Sequence, residues 1–352
     1  MFSHGCSALH WGEARIQTDF HFRSLGTRRS GRFQWKHFLP VNMSKTLVVF
    51  GATGQQGGSV VNFVVDDPEL SKEYNIRAVT RDTTSQSAQA LVAKGVEIVA
   101  ANVDDEHTVR AALKGAHTVF AITVPDFKDI KGSETRQGRV MVDAAVSEGV
   151  KYYIFSTLPH VKEISGGKYT KVASFDAKAE VEQYIRQQPI RSAFFAPGSF
   201  MQNYQQILKP RKMPDGNYSI SRHVSPNTQL PLIETASDTG KFVGAILADP
   251  DKYESKVSCA ATKLYTFDQQ AAILSKATGK NVVYKQLPED VFKGFLPPGP
   301  YADVLIEMML YQQDFGYYGP NTEELVAWAA DNARGKLTTF EEYLERNPLD
   351  LD

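Results

Sequence analysis

The sequence predicts an α/β protein with a doubly wound parallel sheet and a smaller α+β domain towards the C-terminus. The apolar run Leu47–Phe50 has the pattern of a parallel strand that is covered on both faces. After it, strand-like runs alternate with helix-like segments as far as about residue 200, which is the order that a doubly wound sheet requires.

A glycine-rich segment follows the first strand. Gly51, Gly54 and Gly57 stand at GxxGxxG spacing, one residue off the commoner GxGxxG, and a helix can begin at Gln56. Backbone N–H groups at such a helix start, with no Cβ atoms in the way, form a site for a pyrophosphate. Three glycines alone could also make a plain tight turn. Their place between a strand and a helix favours a Rossmann-type dinucleotide site.

The second predicted strand, Ile76–Thr80, indicates which dinucleotide is bound. Such folds place an acidic residue at this strand end for the 2′-hydroxyl of NAD, or an arginine for the 2′-phosphate of NADP. Here Arg81 follows the strand, and no acid precedes Asp82. We therefore expect NADP(H), unless Arg81 is only a solvated charge.

The remaining elements of the first half continue the alternation. The carboxyl ends of the strands face the ligand crevice, so we expect Asn102–Asp105 near the adenine and Thr123–Pro125 beside the nicotinamide-side ribose. The predicted elements are strands Val96–Ala100, Thr118–Thr123, Tyr152–Ser156 and Ser192–Ala196, and helices Ser59–Val65, Glu106–Lys114, Glu134–Ser147 and the segment SFDAKAEVEQYI.

The catalytic pair of short-chain reductases is absent. No tyrosine has a lysine four residues later, so the usual Tyr-x-x-x-Lys proton donor is missing. The segment SFDAKAEVEQYI instead carries Lys178 near its start, where a lysine opposes the helix macrodipole. Unless Lys178 is solvated, a ribose or a nicotinamide amide is a suitable partner. The segment PGSFMQNY has an apolar and amide set that suits a nicotinamide ring, although helix packing explains it equally well.

The second half is less regular. Residues 211–236 are rich in turns, and a helix at Ser237–Leu247 and a strand at Lys256–Ala260 are expected to return to the main sheet. We assign 43–200 to the Rossmann domain, completed by 237–260, and 201–236 with 261–352 to the smaller domain. Its other predicted elements are a helix Thr266–Gly279 with Thr266 as N-cap, a strand Asn281–Gln286, and helices Ala302–Phe315, Thr322–Asn332 and Thr339–Glu345.

Residues 1–42 differ from the rest of the chain. We expect a disordered or non-native extension with little fixed structure and an effective start at Met43, or, as a minor alternative, a mitochondrial transit peptide. The basic residues outnumber the acidic ones; they are Arg15, Arg23, Arg28, Arg29, Arg32 and Lys36 against Glu13 and Asp19.

Composition narrows the function classes. The formal net charge of −1 gives no reason to expect a direct nucleic-acid or membrane partner. Cys6 and Cys259 match no metal-ligand spacing, so we expect no metal and a reducing compartment, the cytoplasm or the nucleus. No apolar run approaches the roughly 20 residues of a membrane helix.

Four segments carry a resemblance to a known family: GATGQQGGSV, AVTRD, SFDAKAEVEQY and PGSFMQNY. Over about residues 44–345 the chain resembles the NmrA-like family of atypical short-chain dehydrogenase/reductase proteins, and within it the NADPH-sensor type. The resemblance implies an NADP(H) site formed by Gly51, Thr53, Gly54, Gln55, Gln56, Gly57, Arg81, Asn102, Val103, Thr123, Lys178, Ser199, Phe200, Met201, Gln202 and Asn203.

The resemblance also implies two alternative functions. Members without the tyrosine generally bind NADP(H) with little turnover and act as redox sensors or transcriptional co-regulators, through a protein partner such as a transcription factor. The related isoflavone-reductase branch reduces its substrates and relies on a lysine in a similar helix, so Lys178 is the candidate catalytic residue for reduction of a small carbonyl, quinone or enone. The expected oligomeric state is a monomer or a homodimer.

Overall fold

A computed structural model describes residues 44–125 and 132–351 of the chain. The predicted N-terminal extension lies outside these residues. The described strands are β1 (Lys45–Phe50), β2 (Tyr74–Thr80), β3 (Glu97–Ala100), β4 (Thr118–Ala121), β5 (Tyr152–Ser156), β6 (Arg191–Pro197), β7 (Ser199–Phe200), β8 (Arg211–Lys212), β9 (Tyr218–Arg222), β10 (Gln229–Ile233), β11 (Val257–Ala260), β12 (Lys263–Thr266) and β13 (Val282–Gln286).

Helices connect these strands, and a short 3₁₀ helix covers Met201–Gln205. The described helices are α1 (Gln55–Asp66), α2 (Leu70–Glu73), α3 (Gln86–Val92), α4 (Glu106–Leu113), α5 (Ser133–Ser147), α6 (Val161–Ile164), α7 (Ala173–Ile185), α8 (Thr235–Ala248), α9 (Pro250–Tyr253), α10 (Phe267–Thr278), α11 (Glu289–Gly294), α12 (Pro300–Phe315), α13 (Thr322–Asp331) and α14 (Phe340–Arg346).

The main sheet has seven strands in the order β11-β6-β5-β4-β1-β2-β3, and every pairing in it is parallel. The chain runs outward from β1 to β3 and then returns to β4 on the other side of β1. This reversal of strand order puts a crevice at the carboxyl ends of β1 and β4, which is where open α/β sheets bind ligands. The predicted fold class is therefore confirmed.

Apolar residues cover both faces of the sheet. Leu47 and Val49 of β1 belong to one buried core, and Val48 and Phe50 belong to the core on the opposite face. Successive side chains of a strand point to opposite faces. An apolar run without polar alternation is thus the pattern that a doubly covered strand requires, as predicted for β1.

Two helix pairs pack closely enough to require glycine. A Cβ on Gly240 or Gly244 of α8 would collide with the Phe63 side chain of α1. On the other face, a Cβ on Gly138 of α5 would collide with Val181 of α7. These contacts fix the helices that carry the glycine loop and Lys178.

The second half contains more strands than the sequence predicted. Two three-stranded sheets, β12-β10-β7 and β13-β9-β8, enclose a further apolar core, and β8, β9 and β10 lie in the stretch that was expected to be turns. The helix α3 was also not predicted. Short elements such as these have too few residues for a clear periodicity.

Several finer expectations are confirmed. The strand β11 returns to the main sheet by pairing with β6. Thr266 caps α10 in a capping box with Gln269, and Gly279 follows the helix with a φ of +66°. The division of residues 43–352 into two domains stays a prediction. Among the described helices, none is long and apolar enough to cross a membrane.

Candidate dinucleotide site

The glycine loop joins β1 to α1 at the carboxyl edge of the sheet. Gly51 has a φ of +64°, a conformation that favours glycine. The Gly54 N–H donates to the Gly51 carbonyl at 2.9 Å and closes the turn. A Cβ on Gly57 would collide with the Gly51 backbone, whereas one on Gly54 would lie 3.3 Å from the Gly51 carbonyl oxygen. Gly57 therefore permits the close contact between helix and loop, and the exposed Gly54 faces the crevice.

The start of α1 has the properties of an anion site. Its N-cap, Gly54, makes no side-chain capping hydrogen bond, and the first turn contains no acidic residue. Thr53, Gly54 and Gln55 are exposed. The first N–H groups of a helix lack intrahelical acceptors and carry the positive end of the helix dipole. The glycine loop leaves little room for a Cβ, and it lies at a helix start that has no side-chain cap. Both properties fit the binding of a pyrophosphate.

The Gln56 side chain is part of the framework of the loop. It is buried, and its Oε1 accepts a hydrogen bond from the Ser156 hydroxyl at the end of β5 at 2.8 Å. The predicted contact of Gln56 with the phosphates can therefore come only from its backbone in this conformation. The hydrogen bond holds the loop against the neighbouring strand end.

Arg81 lies directly after β2 and is exposed. Within the described ranges its guanidinium has no hydrogen-bond or ion-pair partner. The neighbouring Asp82 is engaged locally, because its carboxylate accepts from the Thr84 N–H at 2.8 Å and from the Thr84 hydroxyl at 2.7 Å. These hydrogen bonds lower the pKa of Asp82. Arg81 thus remains available for a phosphate.

The loop after β3 carries the two residues expected near the adenine. Asn102 is exposed, and its Oδ1 accepts from the Asp104 N–H at 3.1 Å, while Val103 is partly buried. Asp104 in turn accepts from Arg136 of α5 at 2.7 Å. The loop is therefore tied to the helix that follows β4.

A buried polar cluster lies at the end of β4. The Lys178 Nζ donates to the Thr123 carbonyl at 3.2 Å, to the Thr123 hydroxyl at 3.3 Å, and to the Glu134 carboxylate. The Thr123 hydroxyl donates to Glu134 at 2.7 Å. All three residues are buried. Burial lowers the pKa of the Lys178 ammonium, and the Glu134 carboxylate opposes that shift.

The sequence did not identify this partner of Lys178. Lys178 is the sixth residue of α7, in its second turn, so the expected conflict with the macrodipole, which falls off within the first turn, is wrong. Its ionic partner among the described residues is Glu134, and the expected contact of Lys178 with a ribose or a nicotinamide amide stays a prediction. An acidic residue in the first turn of a helix is common because it interacts favourably with the helix dipole. The position of Glu134 at the start of α5 therefore did not indicate a role at the site.

The segment 199–203 divides between the surface of the crevice and the core. Ser199 and Phe200 are partly exposed, and so is Asn203. Gln202 is held by the start of α8, where its Oε1 accepts from the Thr235 N–H at 3.3 Å. Met201 is fully buried in the core of the second half. The Met201 side chain therefore packs in this core, and the expectation that Met201 lies along a nicotinamide ring stays a prediction.

Across residues 44–125 and 132–351, no group of three or more His, Cys, Asp or Glu side chains is arranged to hold a metal ion. The parallel sheet, its switch point and the uncapped glycine loop together define a Rossmann-type α/β protein.

The family is established by comparison with known proteins. The model of the NmrA-like family matches residues 43–344, and the chain belongs to this family. A relative from Dictyostelium discoideum, described as an NmrA-like family domain-containing protein, is 30% identical over 328 residues, which are 88% of this chain and 100% of the relative. A relative from Aspergillus campestris, described as an NmrA-like family domain-containing oxidoreductase, is 30% identical over 278 residues, covering 72% and 79% of the two chains.

A solved structure has the same fold. It is that of NmrA, described as a negative transcriptional regulator in complex with NADP. The two structures superpose with a TM-score of 0.73 at 23% identity, and the match covers 87% of this chain and 98% of NmrA.

Proposed function

We propose that this chain binds NADP(H) at the carboxyl edge of the main sheet. The pyrophosphate would lie at the start of α1, and the 2′-phosphate would contact Arg81. Support comes from the glycine cradle, from the unpartnered Arg81 guanidinium in the described structure, and from the NADP complex of the similarly folded NmrA. When bound, NADPH supplies a hydride.

We further infer that the protein acts as a redox sensor or transcriptional co-regulator with little or no turnover. The observation that carries this proposal is the buried state of Lys178. An ammonium has three donor hydrogens, and here Nζ already faces the Thr123 carbonyl, the Thr123 hydroxyl and Glu134. A general acid must reach the proton acceptor on its substrate. With no Tyr-x-x-x-Lys pair and an enclosed lysine, the site favours cofactor binding over catalysis.

The second candidate is an NADPH-dependent reductase of a small carbonyl, quinone or enone. Relatives such as the Aspergillus campestris protein are named oxidoreductases, which favours it. In this alternative Lys178 would turn towards the crevice and donate a proton, and Glu134 would stabilise the ammonium beforehand. The two candidates share one cofactor site and differ in what Lys178 does.

Turnover measurements separate the two candidates. Purified protein is given saturating NADPH with a panel of quinones and enones, and NADPH oxidation is followed over many cycles. A sensor is expected to bind NADPH by fluorescence titration and to show no sustained oxidation. Sustained turnover that is lost in Lys178→Met, while NADPH still binds, would contradict the sensor proposal. Lys285→Met, at an exposed position of β13, is the matched control.

A sensor acts through a partner, and we propose that this partner is a protein such as a transcription factor. The two proteins would bind each other in the cytoplasm or the nucleus, and this chain would be a monomer or a homodimer. The expected signature is partner binding that differs between NADP⁺-loaded and NADPH-loaded protein. Equal recovery of every partner with both forms would contradict a redox-dependent role.

A further inference from the structure

A cavity of about 620 Å³ lies beside β11, the edge strand of the main sheet. It is lined by Ala179 and Gln183 of α7, by Val257 and Cys259 of β11, and by Leu325 and Trp328 of α13. We call this space the edge cavity. Its described lining includes no residue of the glycine loop, of the segment 199–203 or of the cluster formed by Thr123, Glu134 and Lys178, although its Thr157 hydroxyl donates to the Lys178 carbonyl at 3.4 Å.

The size and lining of the edge cavity suit a small organic molecule. Ligand sites in proteins typically measure about 300–1,000 Å³ and are lined mainly by apolar and aromatic side chains with a few polar groups. The cavity has that composition. Its apolar lining includes Leu158, Ile164, Val257, Tyr318, Leu325 and Trp328.

Among the residues that the structure describes, one charged side chain at the edge cavity lacks a partner of opposite charge. Lys256 is exposed at the cavity, and in the described part of the chain no carboxylate pairs with it. The carboxylate that lines the cavity, Glu182, is already paired with Arg186 at 2.7 Å. His160 also lines the cavity, with its Nδ1 3.1 Å from a carboxylate oxygen of Asp176. The charge that lacks an opposite partner is therefore the positive one of Lys256.

Lys256 and an aromatic wall lie next to each other. The Lys256 Nζ is 5.6 Å from the ring centroid of Trp328 on α13. A ligand placed against Trp328 would therefore have an ammonium within reach of any acidic group that it carries. An ion pair formed partly out of water is stronger than one at the open surface.

We propose that the edge cavity binds a mainly apolar, aromatic small molecule that carries one negative charge. Its apolar body lies between α7 and α13 against Leu325 and Trp328, and its acidic group pairs with Lys256. This site is additional to the dinucleotide site and does not depend on the function proposed for it.

Two dyes that differ in one group test the proposal. Anilinonaphthalene sulfonate has an aromatic body and one negative charge, and phenylnaphthylamine is its uncharged analogue without the sulfonate. The full chain with Trp11→Phe and Trp35→Phe keeps Trp328 as its one tryptophan. Energy transfer from Trp328 to either dye then detects bound dye, and variants of the cavity lining locate it. The titrations are run with saturating NADP⁺, which occupies the proposed cofactor site and, unlike NADPH, does not absorb the tryptophan emission.

The expected result is selective. Both dyes accept energy from Trp328, and Lys256→Glu weakens the sulfonate dye on the order of tenfold while phenylnaphthylamine changes by less than about twofold. Leu325→Glu, which puts a charge on the apolar wall, weakens both. Lys212→Glu is the control, because Lys212 is also exposed and also near an aromatic ring, 5.9 Å from the centroid of Tyr218, but does not line the cavity.

Three outcomes would overturn the proposal. One is an absence of energy transfer from Trp328 to either dye under saturating NADP⁺. Another is an equal effect of Lys256→Glu and Lys212→Glu on the sulfonate dye, since the charge would then act only through the overall field. The third is competition between NADP⁺ and both dyes at a single site.

Discussion

The Lys178 ammonium of α7 and the Glu134 carboxylate of α5 form a buried ion pair, and 8% and 7% of their side-chain surfaces are exposed. The pair spans 44 positions of sequence, and the Thr123 hydroxyl at the end of β4 bonds to both groups. Three elements at the crevice are thus joined by one polar cluster. Its integrity determines both the stability of this edge and the protonation of Lys178.

Removing one member of this pair should destabilise the protein strongly. Glu134→Leu leaves an uncompensated buried ammonium, so we expect the free energy of unfolding to fall by about 3–5 kcal/mol. The double variant Glu134→Leu with Lys178→Met removes both charges and should recover most of that loss. Urea unfolding of the native chain and the variants measures the difference.

The control for this experiment is an exposed ion pair. Lys45 and Glu73 lie 2.6 Å apart with more than a third of each side chain exposed. Glu73→Ala should therefore cost less than about 1 kcal/mol. Equal losses for Glu73→Ala and Glu134→Leu would show that the Lys178 pair is not effectively buried.

Arg81→Ala should change cofactor preference. Hydrogen bonds to charged groups contribute on the order of 1.5–3 kcal/mol, so the affinity for NADPH should fall by roughly tenfold or more while that for NADH stays nearly unchanged. Titration of both cofactors measures this, with Arg211→Ala, at an exposed site on β8, as the control. Equal losses for NADPH and NADH in Arg81→Ala would mean that Arg81 does not contact the 2′-phosphate.

Substitutions of the two loop glycines, Gly54 and Gly57, should have different effects on stability and on cofactor binding. Gly57→Ala puts a Cβ into the Gly51 backbone, so we expect a loss of stability of about 1–3 kcal/mol. Gly54→Val projects into the crevice, so it should abolish binding of both cofactors with a smaller loss of stability. Melting temperatures and cofactor titrations separate the effects. Native affinity for NADPH in Gly54→Val would place the phosphate site elsewhere.

Acid stability should depend on Asp67, which caps the end of α1. The Arg334 guanidinium, 2.7 Å away, is the main reason that the pKa of Asp67 is lowered from 3.8 to about 2, and the N–H groups of Leu70 and Glu69 act in the same direction. Because the folded pKa lies below the unfolded one, the contribution is complete above pH 3.8 and is lost as the pH falls towards 2.

Asp67→Asn therefore isolates this contribution. Near neutral pH the variant should be less stable than the native chain by about 1–2 kcal/mol, and the difference should vanish close to the folded pKa. Urea unfolding at several pH values down to the acid limit gives the two curves. Parallel curves over the whole range would show that Asp67 is not responsible for the pH dependence.

The sequence allowed the main sheet and the phosphate end of the site to be predicted in some detail. Three features are each contained within a few consecutive residues: the covered strand β1, the glycine loop, and Arg81 after β2. Such local patterns can be recognised without knowledge of the fold. The small strands of residues 211–236 were missed, since two to five residues held by pairing with distant strands leave no period to detect.

The local spacing of residues was therefore enough to predict the α/β class, the alternation of strands with helices and the candidate residues for a dinucleotide phosphate. Only the folded chain shows that Lys178 is paired with Glu134, that Met201 belongs to the core, and that residues of α7, β11 and α13 line a common cavity. Each of these depends on side chains brought together from distant positions. Burial and charge pairing depend on which side chains lie close together in space. The order of residues along the chain does not specify those distances.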